Sequence, residues 1–124
     1  AADHVVVAKD SVRDAALRFR YITADKRTRI VADERFGAGT TMVGTLAHQR
    51  LRPALEYPEL VELASVAVRL EQAYAQPLDI EFAFEDADLR ILQVRPVPAA
   101  DAVWRETAEK FPFGAADRRV EERP

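Results

Sequence analysis

The sequence predicts an α+β fold in which one main helix covers an antiparallel sheet. Apolar residues recur at three- and four-residue steps from Pro58 to Tyr74, which is the spacing of one helix face. Before and after that segment, apolar residues alternate with polar ones, which is typical of strands with one buried face. The 124 residues are enough for one small domain.

Three short strands are predicted ahead of the helix. An apolar run marks residues 5–8, alternation marks residues 16–23, and the third strand covers residues 27–32. A short turn, residues 24–26, separates the last two strands, so we expect the three to form an antiparallel meander. Residues 36–45 contain three of the four glycines and are predicted to be a connecting loop, because their spacing fits no phosphate-binding glycine motif.

The helix has clear signals at both ends. Pro58 suits the first turn, where its missing N–H costs nothing, and Glu59 complements the positive end of the helix dipole. Pro77 prevents continuation of the helix. We expect three apolar side chains of the helix and the following strand to be core residues: Leu63, Leu70 and Phe82.

Residues 79–96 are predicted to form a β-hairpin with a three-residue loop at residues 86–88. This register pairs Asp79 with Arg95 and Glu81 with Gln93, and it separates apolar from polar side chains. The polar face then holds Asp79, Glu81, Gln93 and Arg95. The apolar face holds Ile80, Phe82, Phe84, Leu92 and Val94.

The polar face carries charged and amide side chains that a plain hairpin does not need. Glu81 and Gln93 offer oxygen ligands of the kind that hard cations prefer, and Arg95 can hold a phosphate. The alternative for Glu81 is an ordinary solvent-facing strand residue. Asp79 is expected to pair with Arg95 across the strands rather than to support a metal ligand. His4 and His48 are expected to be surface residues. Arg50 and Arg52 could reach an anionic ligand, but they are expected to be solvated loop arginines.

Composition excludes several classes of protein. The net charge of −3 gives no basic footprint, so we expect no nucleic-acid partner. The chain has no cysteine, and hence neither disulfides nor thiolate metal sites. No apolar run approaches ~20 residues, so no membrane span is expected, and a cytoplasmic location is the default. The chain opens with Ala1 and enters an apolar run at once, which is expected of a fragment or an excised domain and equally of a processed N-terminus.

The hairpin resembles the end of the nucleotide-binding domain of phosphoenolpyruvate synthases, pyruvate phosphate dikinases and the related rifampicin phosphotransferases. In this family the segment commonly reads Asp-Ile-Glu-Trp, an acidic turn, and a strand ending Gln-x-Arg-Pro. Here residues 79–82 read DIEF and residues 93–96 read QVRP. The resemblance covers roughly residues 3–98 and is strongest over 60–97. Phe82 replaces the usual Trp, and Ala75 replaces a common Gly.

The resemblance implies the C-terminal subdomain of an ATP-grasp fold, with ATP and magnesium as cofactors. By this resemblance Glu81 and Gln93 would hold the metal, and Arg95 would contact the transferring phosphoryl group as the catalytic residue. The parent enzyme would pass the β-phosphoryl of ATP to a histidine and then to pyruvate or another small acceptor. The remaining ATP-grasp lobe and the phosphohistidine domain would lie elsewhere in the parent chain, so these 124 residues alone should be inactive.

The sequence predicts a division of the chain into two segments and leaves one alternative function open. Residues 1–98 are predicted to be the subdomain. Residues 99–124 are predicted to be a linker or tail that is partly helical or disordered. The rival to the phosphotransferase is a stand-alone interaction or regulatory module that keeps the hairpin only as scaffold. The reading frame around the segment separates the two, because only the enzyme needs an upstream glycine-rich ATP-binding lobe.

Overall fold

The computed structural model describes residues 2–97, so the expected tail at 99–124 lies outside the described residues. In chain order the strands and α-helices are β1 (His4–Val7), β2 (Phe19–Ile22), β3 (Thr28–Ala32), β4 (Thr40–Gly44), α1 (Ala47–Arg50), α2 (Tyr57–Tyr74), β5 (Leu78–Glu85) and β6 (Asp88–Pro96). Two short 3₁₀ helices add Lys9–Ser11 and Glu34–Phe36. No helix among residues 2–97 has the length and apolar character needed to cross a membrane.

The α+β class is confirmed, but the sheet is divided. Within residues 2–97, β1 pairs with β2, β3 with β4, and β5 with β6, each pair forming a two-stranded sheet. The expected meander of three consecutive strands is therefore wrong, since β3 pairs with β4 and not with β2. The described chain forms two compact units: residues 2–5 and Tyr21–Ala54, and residues Val6–Arg20 and 55–97.

In the first unit, half of the predicted glycine-rich loop at residues 36–45 forms a strand. Gly37 and Gly39 have φ of 71° and 87°, so they form the turn that the glycines indicated. The chain then forms β4, antiparallel to β3, with Thr28 opposite Gly44 and Ala32 opposite Thr40. The β-branched threonines and valine of β4 favour this extended backbone, and the glycine count concealed that preference.

Asp3 is the polar centre of the first unit. Its carboxylate accepts hydrogen bonds from Lys26 Nζ at 2.7 Å, from the backbone N–H groups of Ala24 and Ala54 at 2.8 Å each, and from the Tyr21 hydroxyl at 3.0 Å. Only 8% of the side chain is exposed. Burial alone raises the pKa of this carboxyl, but the hydrogen bonds, that from Lys26 first, outweigh it and hold the pKa below its usual value.

Replacing Asp3 by asparagine should lower the free energy of unfolding by about 1–3 kcal/mol at neutral pH, because buried donors lose a charged acceptor. The folded carboxyl has the lower pKa, so its contribution is present above the unfolded pKa of about 3.9 and is lost as the pH falls through the folded value. Denaturant titrations from pH 7 to 3 should therefore show the variant and the wild type converging in acid. The exposed Asp14→Asn is the control, and an equal loss in both variants would contradict the role of Asp3.

The second unit contains the buried apolar residues of the described chain. Four apolar side chains and one hydroxyl are less than a tenth exposed: Val6, Leu17, Phe19, Leu60 and Ser11. The Ser11 hydroxyl donates to the Ala8 carbonyl at 2.7 Å and accepts the Arg18 N–H at 2.9 Å, so this buried polar group is satisfied. Tyr57 at the start of α2 accepts the Leu17 N–H at 3.0 Å.

The boundaries of α2 agree with the prediction. Glu56 and Glu59 form a capping box at the start, with the Glu56 N–H donating to Glu59 Oε1 at 2.8 Å. At the end, Ala75 has a left-handed φ of 57°, and its N–H donates to the Glu71 carbonyl at 2.9 Å. Glycine adopts this conformation at no steric cost, and here a non-glycine residue, Ala75, adopts it. The helix contacts β5, which follows it directly.

The expected core residues of this unit were placed only in part. Leu63 and Leu70 are half-buried, whereas Phe82 is 38% exposed and its assignment to the core is wrong. Leu60, one turn from the start of α2, is instead the helix residue that is buried. A two-stranded sheet presents one apolar face to a single helix, and that helix covers only part of the face.

Candidate functional site

The β5–β6 hairpin brings the predicted polar residues together. Its strands are antiparallel, with Asp79 opposite Arg95 and Glu81 opposite Gln93, which confirms both predicted pairs. Directly opposed residues share one face of an antiparallel sheet, with Cβ atoms about 4.5–5.5 Å apart. Sequence alternation therefore placed this end of the hairpin correctly.

The other end of the hairpin differs from the prediction. Glu85 pairs with Asp88, so the turn has two residues, Asp86 and Ala87, rather than three. Asp86 has a positive φ of 55°, which aspartate tolerates in tight turns. The shorter turn shifts the register by one residue, and an irregularity beside Glu81 shifts it back, leaving Leu92 unpaired as a β-bulge.

The bulge gives the hairpin two cleanly separated faces. The pairs on the polar face are Asp79–Arg95, Glu81–Gln93, Ala83–Arg90 and Glu85–Asp88. The pairs on the apolar face are Leu78–Pro96, Ile80–Val94, Phe82–Ile91 and Phe84–Leu89. Leu92, which was expected on the apolar face, is the bulge residue and is 64% exposed; Ile91 and Leu89 take the apolar positions instead.

The Glu81–Gln93 pair is an oxygen-donor site open to solvent. Both residues are exposed, and each supplies a carboxylate or amide oxygen. Residues 2–97 contain no group of three or more acidic, histidine or cysteine side chains that could enclose a metal. Two donors on an open strand surface suit magnesium, which keeps several waters and is commonly shared between one or two carboxylates and substrate phosphates.

Arg95 is held beside that pair. Its Nε donates to Asp79 Oδ2 at 2.9 Å, which confirms the predicted cross-strand ion pair. The Arg95 side chain is 63% exposed, and Nε carries one of the five N–H donors of its guanidinium, so the outer nitrogens retain donors for a ligand. The bond to Asp79 therefore limits the positions of Arg95 without consuming its capacity for a phosphate.

Arg90 lies on the same face, although it was not among the predicted site residues. With a three-residue loop, Arg90 would pair with Phe84 on the apolar face, whereas the observed two-residue turn pairs it with Ala83. The arginine itself was a signal that could have corrected the register. A charged residue among Leu89, Ile91 and the phenylalanines is more stable facing water.

Other candidate groups lie outside the hairpin. Arg50 donates two hydrogen bonds to Asp25, at 3.0 and 2.7 Å. The hydrogen bonds from Arg50 and then from Arg27 lower the pKa of Asp25 to about 2. Arg50 is therefore bound to Asp25, whereas a solvated side chain was predicted. His4 and His48 are both exposed, as predicted.

Comparison with known proteins agrees with the family resemblance that the hairpin sequence indicates. Residues 1–111 match the AMP/ATP-binding domain of pyruvate phosphate dikinase. A stretch of 73 residues is 33% identical to an uncharacterized phosphotransferase of Bacillus subtilis and covers 59% of this chain and 9% of that protein. A stretch of 74 residues is 32% identical to a probable phosphoenolpyruvate synthase of Methanocaldococcus jannaschii and covers 60% of this chain and 6% of that protein.

These matches differ in extent. The aligned stretches amount to less than a tenth of the length of either relative, so they compare one segment of those proteins with this chain. The family match extends over most of the 124 residues and includes the whole β5–β6 hairpin. The chain therefore belongs to the family of the pyruvate phosphate dikinase AMP/ATP-binding domain.

Proposed function

We propose that this chain is part of the ATP site of a phosphoenolpyruvate synthase-like phosphotransferase. Membership of an AMP/ATP-binding family supports the nucleotide-binding role itself. The observation that carries the finer proposal is the polar face of the hairpin, where Glu81 and Gln93 lie side by side with Arg95 on the adjacent pair. Carboxylate, amide and guanidinium groups in this order suit a metal-bound phosphate.

Each residue would have a distinct task. Glu81 and Gln93 would hold a magnesium ion, which supplies positive charge close to the phosphates of ATP. Arg95 would donate charge-assisted hydrogen bonds to the transferring phosphoryl group, and Asp79 would restrict the guanidinium to that position. Phosphoryl transfer depends mainly on positioning and on neutralising charge, so this small set of side chains is adequate for its share of the chemistry.

The complete reaction would need more than this chain. We infer an ATP-grasp arrangement in which a second lobe grips the nucleotide from the other side. The bond between the α- and β-phosphates of ATP would break, so that AMP leaves while the β- and γ-phosphates pass together to a histidine of a separate domain. Water would then release the γ-phosphate as inorganic phosphate, and the β-phosphoryl would pass from the histidine to pyruvate or another small acceptor. The named activity of the archaeal relative, phosphoenolpyruvate synthesis, supports pyruvate as the first acceptor to test. The 124 residues alone should bind ATP weakly and transfer no phosphate.

Arg95→Ala in the complete natural protein tests the proposal. The assay follows incorporation of label into the protein from ATP labelled at the β-phosphate, which requires no knowledge of the acceptor. Loss of a charge-assisted contact should slow labelling about tenfold to a hundredfold. Arg69→Ala removes an exposed arginine from α2 and is the matched control.

Two outcomes would contradict the proposal. If the wild-type protein incorporates no label, transfer through a histidine is wrong. If Arg95→Ala and Arg69→Ala are labelled at the same rate as the wild type, the hairpin does not contact the transferring group. Circular dichroism should show both variants folded, because the Arg95 pair with Asp79 is exposed and contributes at most about 1 kcal/mol.

A further inference from the structure

The polar face of the hairpin carries a second arginine in line with the proposed site. Arg90 pairs with Ala83, Gln93 with Glu81, and Arg95 with Asp79. Residues two apart on a strand are separated by roughly 6.6 Å, so Ala83 and Asp79 lie roughly 13 Å apart with Glu81 midway. One arginine therefore lies on each side of the oxygen-donor pair.

Little in the hairpin restrains the Arg90 guanidinium. Its nearest acidic partners are Glu85 Oε1 at 3.4 Å and Asp88 Oδ2 at 3.8 Å, both longer than the 2.9 Å bond that holds Arg95. All three side chains are more than half exposed, and such surface pairs contribute about 0–1 kcal/mol. Across the strand, Ala83 has too small a side chain to occupy the space beside Arg90.

We propose that Arg90 is a second phosphate-binding residue of the ATP site, contacting the polyphosphate chain on the opposite side of Glu81 from Arg95. This inference rests on the proposed function, because it assumes that the Glu81–Gln93 pair faces the phosphates. A polyphosphate presents several anionic groups in a row, which matches cationic groups placed before and after the metal-binding pair. Arginine binds phosphate oxygens through two parallel N–H groups, so Arg90 also restricts the orientation of the bound polyphosphate.

The position of Arg90 predicts an effect on nucleotide binding more than on the chemical step. In the complete natural protein, Arg90→Gln should raise the dissociation constant for ATP about tenfold, measured by calorimetry in the presence of magnesium ions. Adenosine has no phosphates, so its affinity should be unchanged by the substitution. In the labelling assay, Arg90→Gln should raise the ATP concentration needed for half-maximal rate and leave the maximal rate within about twofold.

Two variants make the outcome decisive. Arg69→Gln removes the same charge from α2 and should leave ATP affinity within twofold of the wild type. Glu81→Gln tests the site on which the inference rests. If Glu81→Gln slows labelling but Arg90→Gln binds ATP as Arg69→Gln does, the role of Arg90 is wrong and the proposed function stands. If Arg90→Gln weakens the binding of ATP and the binding of adenosine equally, the proposed role of Arg90 is also wrong. If Glu81→Gln transfers phosphate at the wild-type rate, both the proposed function and this inference fail.

Discussion

Replacing Glu81 by glutamine in the complete natural protein should reduce the maximal rate of phosphoryl transfer about a hundredfold to a thousandfold. Glu81 supplies the carboxylate of the Glu81–Gln93 pair, and glutamine keeps its shape while removing its charge. A cation held less firmly neutralises less of the charge that develops on the phosphates, and in a closed site that effect amounts to several kcal/mol. The measurement is single-turnover labelling from β-labelled ATP at saturating nucleotide.

The fold should survive this substitution. Glu81 is exposed on the polar face, so its replacement opens no cavity, and the unfolding midpoint should stay within the error of the wild type. Glu62→Gln removes an equivalent exposed carboxylate from α2 and should transfer phosphate at the wild-type rate. A loss of less than threefold in Glu81→Gln would show that the pair does not bind the metal of the reaction.

Leu60→Ala should have the largest effect on stability. Leu60 is 3% exposed in the second unit, and deleting its side chain leaves a cavity where the surrounding groups can relax only in part. The free energy of unfolding should fall by about 2–5 kcal/mol. Small domains are stable by only about 5–15 kcal/mol, so the variant should unfold at a clearly lower urea concentration.

Leu92→Ala is the matched control for Leu60→Ala. Both are leucines of the second unit, but Leu92 is 64% exposed at the bulge, so its truncation should change the free energy of unfolding by less than about 0.5 kcal/mol. A loss below about 1 kcal/mol in Leu60→Ala would mean that α2 does not pack through this residue. Leu63→Ala should fall between the two variants, because its side chain is half-buried.

Local sequence signals were sufficient for α2 and for the open end of the hairpin. Pro58, Glu59 and Pro77 act within one or two turns of the chain, so they mark the helix without knowledge of its neighbours. Alternation likewise placed Glu81 opposite Gln93, because burial of one face at the open end of the hairpin excludes a register shifted by one residue there. The predicted site residues and the family resemblance both rest on these two segments.

The turn of the hairpin and the pairing of β3 with β4 were not predicted by these signals. A two-residue turn plus a bulge at Leu92 and a three-residue turn without a bulge produce the same Glu81–Gln93 pair, so that pair cannot distinguish them. Pairing of β3 with β4 likewise requires the chain to reverse direction at a glycine turn. The glycines of that segment concealed the strand propensity of β4.

The burial of individual side chains was the property that the sequence predicted least well. Periodicity identifies an apolar stripe on α2, but which stripe residue becomes buried depends on what packs against it. Leu60 lies at the end of the helix where Tyr57 bonds to the Leu17 N–H, and it is buried there, whereas Leu70 toward the other end is half-buried. Alternation thus assigned residues to faces, and the packing of separate segments decided how much of each face is covered. The two-residue turn and the bulge of the hairpin decided that Arg90 lies in line with Glu81 and Arg95.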